Sequence, residues 1–563
     1  MPGAFFVLST DKFIRAQDKA SRAHKKTAQH CEFFIKSRRI VCGEVFALSR
    51  LRDFAINAGI LTATSLSLGA VGVLYNAWLA RSLGTAGTGL FSLMMAVYRL
   101  MVTFACSGSG LAATRLVAEE NAAKNKSAAA KAMRLTLLYS LFFGVLGGAL
   151  LFAFGGAAAQ FLVRDMRAAK PFCVLAFSLP FVGVSAALSG YFTAVTRVAA
   201  SSAAQLFEQL SQMAFTMFVF AMLKPESLST ACVLVAAGST VSEAAAFLLH
   251  WILYRKDRKK HPLGQEAAGG NAAMAKRVLG IAMPVGASAV LRSALSTVKH
   301  LLVPVSLVKS GLSENAALSQ YGIVGGMVLP VLISPCAFLL GFSNLLVPEV
   351  ARCRTLGMKN RINALMERVF RMTLMFAVAV AAALWRFSES FALLLYNEPA
   401  AAPAIRALAP IVTVMYLDSS VDGILKGLGE QVAVVRYNVY DTALCVLMVY
   451  TLVPVLGTAG YLITIAVSEI FNMYLSAARL VYVTGFRVKM EKWLLLPAAA
   501  AAASVAAADC VLKFLGAAES SGRELLLGLC LLLAVYYLLL RLFRCITPED
   551  ISMLRRVFQK QPS

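Results

Sequence analysis

Fourteen apolar stretches, each long enough to cross a bilayer, run from about Phe54 to Phe543, and the basic residues between them alternate from one loop to the next. A helical span needs about 20 predominantly apolar residues. That length places spans near 54–80, 87–108, 132–154, 171–193, 198–222, 229–253, 278–305, 321–347, 366–385, 404–425, 431–454, 459–480, 493–515 and 524–543. With 59% hydrophobic and 15% charged residues, the chain carries too much apolar surface for a soluble domain. The pattern defines an all-α integral membrane protein.

Orientation follows from Lys and Arg. With the amino terminus cytoplasmic, that side holds 41 of the 54 basic residues, the outer loops hold 10, and three (Arg99, Arg292 and Lys299) lie inside spans. Cytoplasmic loops of membrane proteins carry the basic excess, so both termini are expected inside. Contact with anionic lipid headgroups accounts for the net charge of +25 without any nucleic-acid partner. The 11 cysteines are scattered, with no C-x-x-C and no Cys/His grouping, so neither a disulfide framework nor a metal site is expected. No G-x-x-x-x-G-K-[ST] phosphate loop occurs, which argues against ATP hydrolysis by this chain; no cofactor is expected.

The chain divides into six segments. Residues 1–50 form a basic extension without a span, expected to be disordered. Residues 51–255 and 278–485 form an N-lobe and a C-lobe of six spans each, joined by a basic loop at 256–277. Two further spans occupy 490–545, and a tail follows at 546–563. The lobes rest on an internal duplication. Leu179-Pro180 is echoed by Ala409-Pro410, Arg197-Val198-Ala199 by Gln431-Val432-Ala433, and Val241-Ser242-Glu243 by Val467-Ser468-Glu469. The repeat is offset by six helices, which preserves orientation, so the lobes are expected to be related by a pseudo-twofold axis along the membrane normal.

Charges near the bilayer centre are costly and face a cavity or a partner. On span seven, Pro284, Ser288, Arg292, Ser296 and Lys299 recur at four- and three-residue steps and make one polar stripe. Two cations on a stripe suit an anionic group such as a phosphate. Arg99 in span two and the pair Arg292 and Lys299 have no acid at i±3 or i±4, which favours a cavity role with Ser288 and Ser296 beside them. Glu208, Glu243, Asp441 and Glu469 form matched pairs in the duplication, a pattern that helix-to-helix hydrogen bonds would produce; ion coupling is the other reading. Asp418 and Asp422 lie on span ten, where Asp422 and Lys426 are one turn apart, the spacing of a local ion pair.

Several segments resemble the stage V sporulation protein B group of polysaccharide exporters. They are Leu83-Gly84 through Gly89-Leu90-Phe91, Ser107-Gly108 through Thr114-Arg115-Leu116-Val117-Ala118-Glu119-Glu120, and Tyr321-Gly322 with Gly326-Met327-Val328-Leu329-Pro330. Leu346-Val347-Pro348-Glu349 and Leu425-Lys426-Gly427-Leu428-Gly429-Glu430-Gln431 complete the set. That group is placed in the MOP superfamily with multidrug and toxin extruders (MATE transporters) and lipid II flippases. The resemblance implies two six-helix lobes around a cavity with two extra helices, in a bacterial plasma membrane. Lipid II flippases keep cavity arginines in their first helix, whereas the span from Phe54 to Ala80 has none.

The expected function is therefore a flippase or exporter of a lipid-linked oligosaccharide or peptidoglycan precursor for cell-wall, spore-cortex or surface polysaccharide synthesis, and not an enzyme. The implied partners are a polyprenyl-linked saccharide, membrane lipids and cell-wall polymerases. The rival is a cation-coupled multidrug antiporter of the MATE type, in which Glu208, Asp418 or Asp441 would take up protons or Na⁺.

Overall fold

The structure is a computed structural model that describes residues 63–545, apart from 261–270, 338, 340–349, 487–490, 515–521 and 544. The extension at 1–50, the centre of the 256–277 loop, the Leu346–Glu349 motif and the tail at 546–563 lie outside the described residues. Among those described there is no strand; the secondary structure is helical.

The helices follow the apolar pattern. In chain order they are α1 (Ala63–Ala122), α2 (Lys126–Ala157), α3 (Ala169–Ala176), α4 (Leu179–Ala194), α5 (Val198–Leu223) and α6 (Leu228–Lys260). The second half comprises α7 (Asn271–Lys309), α8 (Glu314–Ile333), α9 (Lys359–Arg386), α10 (Ala401–Gly427), α11 (Gln431–Thr451) and α12 (Val453–Thr484). Helices α13 (Leu496–Phe514) and α14 (Gly522–Leu542) close the chain.

Among the described residues, twelve helices are long and apolar enough to cross a membrane, or thirteen if the bent pair is one span. The fourteen spans read from the sequence are not reproduced as fourteen separate helices, for two local reasons. The first two fall in the single 60-residue stretch α1, which is interrupted by left-handed backbone at Gly84 (φ 70) and Gly108 (φ 74). The fourth is broken into α3 and α4, which meet at 49° where Pro180 opens α4.

Helices α2 to α6 pack on one another and on the Ser109–Ala122 end of α1, while α9 to α12 pack as a second group. Helix α13 seats on α9 and α14 on α13. Helix α7 joins both groups. Its amino-terminal half buries Met274, Val278 and Ala282 against Ala112, Leu116, Ala132 and Tyr139 of α1 and α2. Its carboxyl-terminal half places Val303 and Leu307 in one core with Val449, Val453 and Tyr461 of α11 and α12. The sequence boundary at 278 thus falls inside a helix shared by the two lobes. Pro284 lies between these two halves and deprives the helix of one backbone hydrogen bond there.

Close backbone approach fixes the first half of α7. A Cβ at Gly108 would stand 2.5 Å from the Ala282 carbonyl oxygen, and φ of 74 there disfavours any side chain. Glycine is therefore what lets α7 lie directly on α1. This is the packing mode of membrane helices, where small residues take over from the hydrophobic effect.

Candidate substrate site between the lobes

The middle of α7 meets α1 through polar side chains. Thr297 donates to the Ala96 carbonyl at 3.1 Å and Thr103 to Ser293 Oγ at 3.4 Å. One residue beyond Lys299, His300 Nδ1 lies 3.0 Å from the Tyr321 hydroxyl of α8, and the Tyr321 ring stacks on Tyr461 of α12 at 6.4 Å between centroids. Arg99 and Lys299 both act electrostatically on His300, and Arg99 acts on Tyr321 as well. Three helices, α1, α7 and α8, thus bring Arg99, Lys299, His300 and Tyr321 into one cluster where the halves of the chain meet.

The cations read from the sequence differ in their surroundings. Arg99 is exposed and donates from Nε to its own helix at Met95 O, 3.2 Å away. Arg292 is exposed, and among the described residues it makes no hydrogen bond or ion pair. Lys299 is half-buried and interacts electrostatically with Asp441 of α11 and Glu469 of α12. No acid neighbours Lys299 in sequence, because its acids arrive from helices more than 140 residues on. Ser288 is exposed and donates to Val285 O at 2.8 Å, within its own helix; Ser296, on the Arg292–Lys299 stripe, is half-buried.

The acids divide between the lobes. Glu208 of α5 and Glu243 of α6 act electrostatically on one another and on Tyr98, whose hydroxyl lies 2.6 Å from Ser178 Oγ. Beside them Gln212 donates to Ser239 at 2.8 Å across the α5–α6 contact. In the second lobe Ser468 donates to Asp441 at 2.5 Å, Asn472 to Asp418 at 2.9 Å and Ser476 to Asp422 at 3.4 Å. Lys426 Nζ stands 3.9 Å from Asp422, one turn away. Asp418 Oδ1 and Asn472 Oδ1 are buried without a hydrogen-bond partner. Asp418 also feels Asp422, Glu469 and Asp441. Among the described residues no group of three or more His, Cys, Asp or Glu side chains has the geometry to hold a metal ion.

Two features have little sequence signal. His300 and Tyr321 gain their role only by crossing between α7 and α8. A π-helical turn at Gly322–Val328 in α8 falls within the Tyr321–Pro330 motif, and a Cβ at its Gly326 would stand 3.2 Å from Ser92 Oγ of α1. Such turns occur often at functional sites.

The fold resembles those of solved MOP-superfamily transporters, and the chain is a multi-pass membrane protein. The lipid II flippase MurJ in an inward closed conformation superposes with a TM-score of 0.62 at 12% identity, covering 89% of this chain and 99% of that chain. An inward-facing multidrug resistance MATE family transporter superposes at 0.60 with 15% identity, over 77% of this chain and 100% of its own. In sequence, residues 55–305 match the polysaccharide biosynthesis protein family. Stage V sporulation protein B of Bacillus subtilis (strain 168) is 22% identical over 88% of this chain and 96% of its own length. Sporulation protein YkvU of the same organism is 19% identical over 67% and 83%. The resemblance to the stage V sporulation protein B group is thereby borne out, and with it the MOP-superfamily architecture.

Proposed function

We propose that the chain flips a lipid-linked saccharide across a bacterial plasma membrane, with the anionic headgroup passing between the lobes and the polyprenyl tail staying in lipid. The observation that carries this reading is Arg292: an exposed guanidinium within a membrane helix, with no hydrogen bond or ion pair among the described residues. Such a charge is costly unless a cavity or ligand receives it, and a guanidinium grips phosphate through two parallel hydrogen bonds. Lys299 lies two turns further along the same face, and Arg99 of α1 acts with it on His300. The named relatives support the same reading, since one is a polysaccharide biosynthesis family and another a lipid II flippase. No bond is made or broken in this cycle.

The test is flipping of a lipid-linked saccharide by reconstituted protein, run beside efflux of a cationic dye. Wild type should flip the saccharide lipid, and Arg292→Ala should lose most of that activity while inserting normally. Dye export without lipid flipping would overturn the proposal.

One observation favours a cation-coupled antiporter as the second reading. The orphaned oxygens of Asp418 and Asn472 are the hard donors a cation would take. Na⁺- or proton-dependent dye efflux lost in Asp418→Asn would establish it.

A further inference from the structure

Along one face of helix α6, apolar side chains give way to cations. Leu248 and Ile252 are exposed apolar side chains, and at the same four-residue step Lys256 and Lys260 are exposed cations. Residues four apart share a helix face, so one face of α6 changes from apolar to cationic between Ile252 and Lys256. Aromatic rings mark the same level: the Arg255 guanidinium lies 5.2 Å above the Trp251 ring and that of Arg258 5.9 Å above Tyr254. Trp and Tyr concentrate at this depth in membrane proteins.

At that level three helices enclose a notch. Phe192 of α4, Ala200 of α5 and Leu253 of α6 provide apolar walls, and Arg197, Lys256 and Lys260 provide cations. One acid, Asp257, is present there. It is buried, pairs with Arg197 and accepts the Tyr191 hydroxyl at 2.8 Å. Its charge is thus matched within the protein, and the two lysines set the sign of the notch.

We propose that this notch binds the phosphodiester headgroup of an anionic glycerophospholipid, with Lys256 and Lys260 on the phosphate and an acyl chain descending along Ile252 and Leu248. A basic excess alone explains cations at this end of the helix, but it does not explain why they rim an apolar notch in line with exposed lipid-facing side chains. The notch shares no residue with the Arg99, Lys299, His300 and Tyr321 cluster or with Arg292, and it does not depend on what the protein transports.

The full-length protein should be purified in detergent and examined by native mass spectrometry with phosphatidylglycerol or with phosphatidylcholine of identical chains. Wild type should retain phosphatidylglycerol in preference. Each lysine near an anionic headgroup is worth about fivefold in affinity, so Lys256→Gln/Lys260→Gln should weaken phosphatidylglycerol retention by about twenty-five-fold and leave phosphatidylcholine unchanged. Lys256→Arg/Lys260→Arg should restore it, which separates loss of charge from a folding defect. Equal retention of both lipids by wild type, no retention of either, or undiminished phosphatidylglycerol on the glutamine variant would overturn the proposal, as would displacement by free glycerol phosphate at millimolar concentration.

Discussion

Arg277, at the start of α7, reaches across to the end of α1 and donates from Nη2 to Glu119 Oε2 at 3.1 Å, while its Nη1 pairs with Glu120. Glu119 also accepts from Arg115 at 2.7 Å, one turn earlier. The arrangement pins one end of the shared helix to the first lobe. Glu120 is buried, but Glu119 and Arg277 are both substantially exposed, and exposed pairs such as theirs contribute about 0–1 kcal/mol. A contact of that size can hold α7 in place and still be broken in a transport cycle. Arg277→Glu should therefore reduce flipping more than it reduces melting temperature, and Glu119→Arg/Glu120→Arg added to it should restore part of the flipping. A large fall in melting temperature with no rescue would show the pair to be structural only.

Lys299 and Asp441 provide a test of charge balance inside the second lobe. If Lys299 serves mainly as counter-ion to Asp441 and Glu469, Lys299→Ala strands two acids, and Asp441→Asn on that background should recover transport. If Lys299 holds the headgroup, the second change will not help. The surroundings of the two cations also rank them: Arg292→Ala should be the more severe loss, and Arg292→Lys should recover only part of it, measured as initial flipping rates at equal protein density.

Gly108 tests the seat of α7 on α1. Gly108→Ala puts a methyl against the Ala282 carbonyl at a positive φ, with an expected cost of about 1–3 kcal/mol from strain and overpacking. Gly156, whose Cβ would meet nothing within 4 Å, is the control: Gly156→Ala should melt as wild type does. Equal melting of the two variants would contradict the close packing.

Topology is best tested away from the native thiol nearest the expected cytoplasmic loop, because Cys353 is fully buried and would resist reagents on either side. Thr355 and Ser313 are both exposed. With the basic excess inside, a cysteine at Ser313 should react with a membrane-impermeant thiol reagent in intact cells, and one at Thr355 should react only after permeabilisation. The reverse pattern would invert the orientation.

The helical, multi-pass character of the chain was legible in the sequence, because a bilayer requires every backbone polar group to be bonded within its own helix and so writes the fold as runs of about 20 apolar residues. That Arg99 and Arg292 lie within long apolar helices was legible for a related reason: a charge in such a run stands out, and helical period fixes which residues share a face. Lys299 shows where that reasoning stops. Local spacing gave it no acid, yet α11 and α12 bring Asp441 and Glu469 to it. His300 with Tyr321, Arg277 with Glu119, and the division of α7 between two lobes likewise depend on helices distant in sequence. Sequence period determines what one helix presents; which helix receives it is decided by packing, through close contacts such as Gly108 against Ala282 that no single helix encodes.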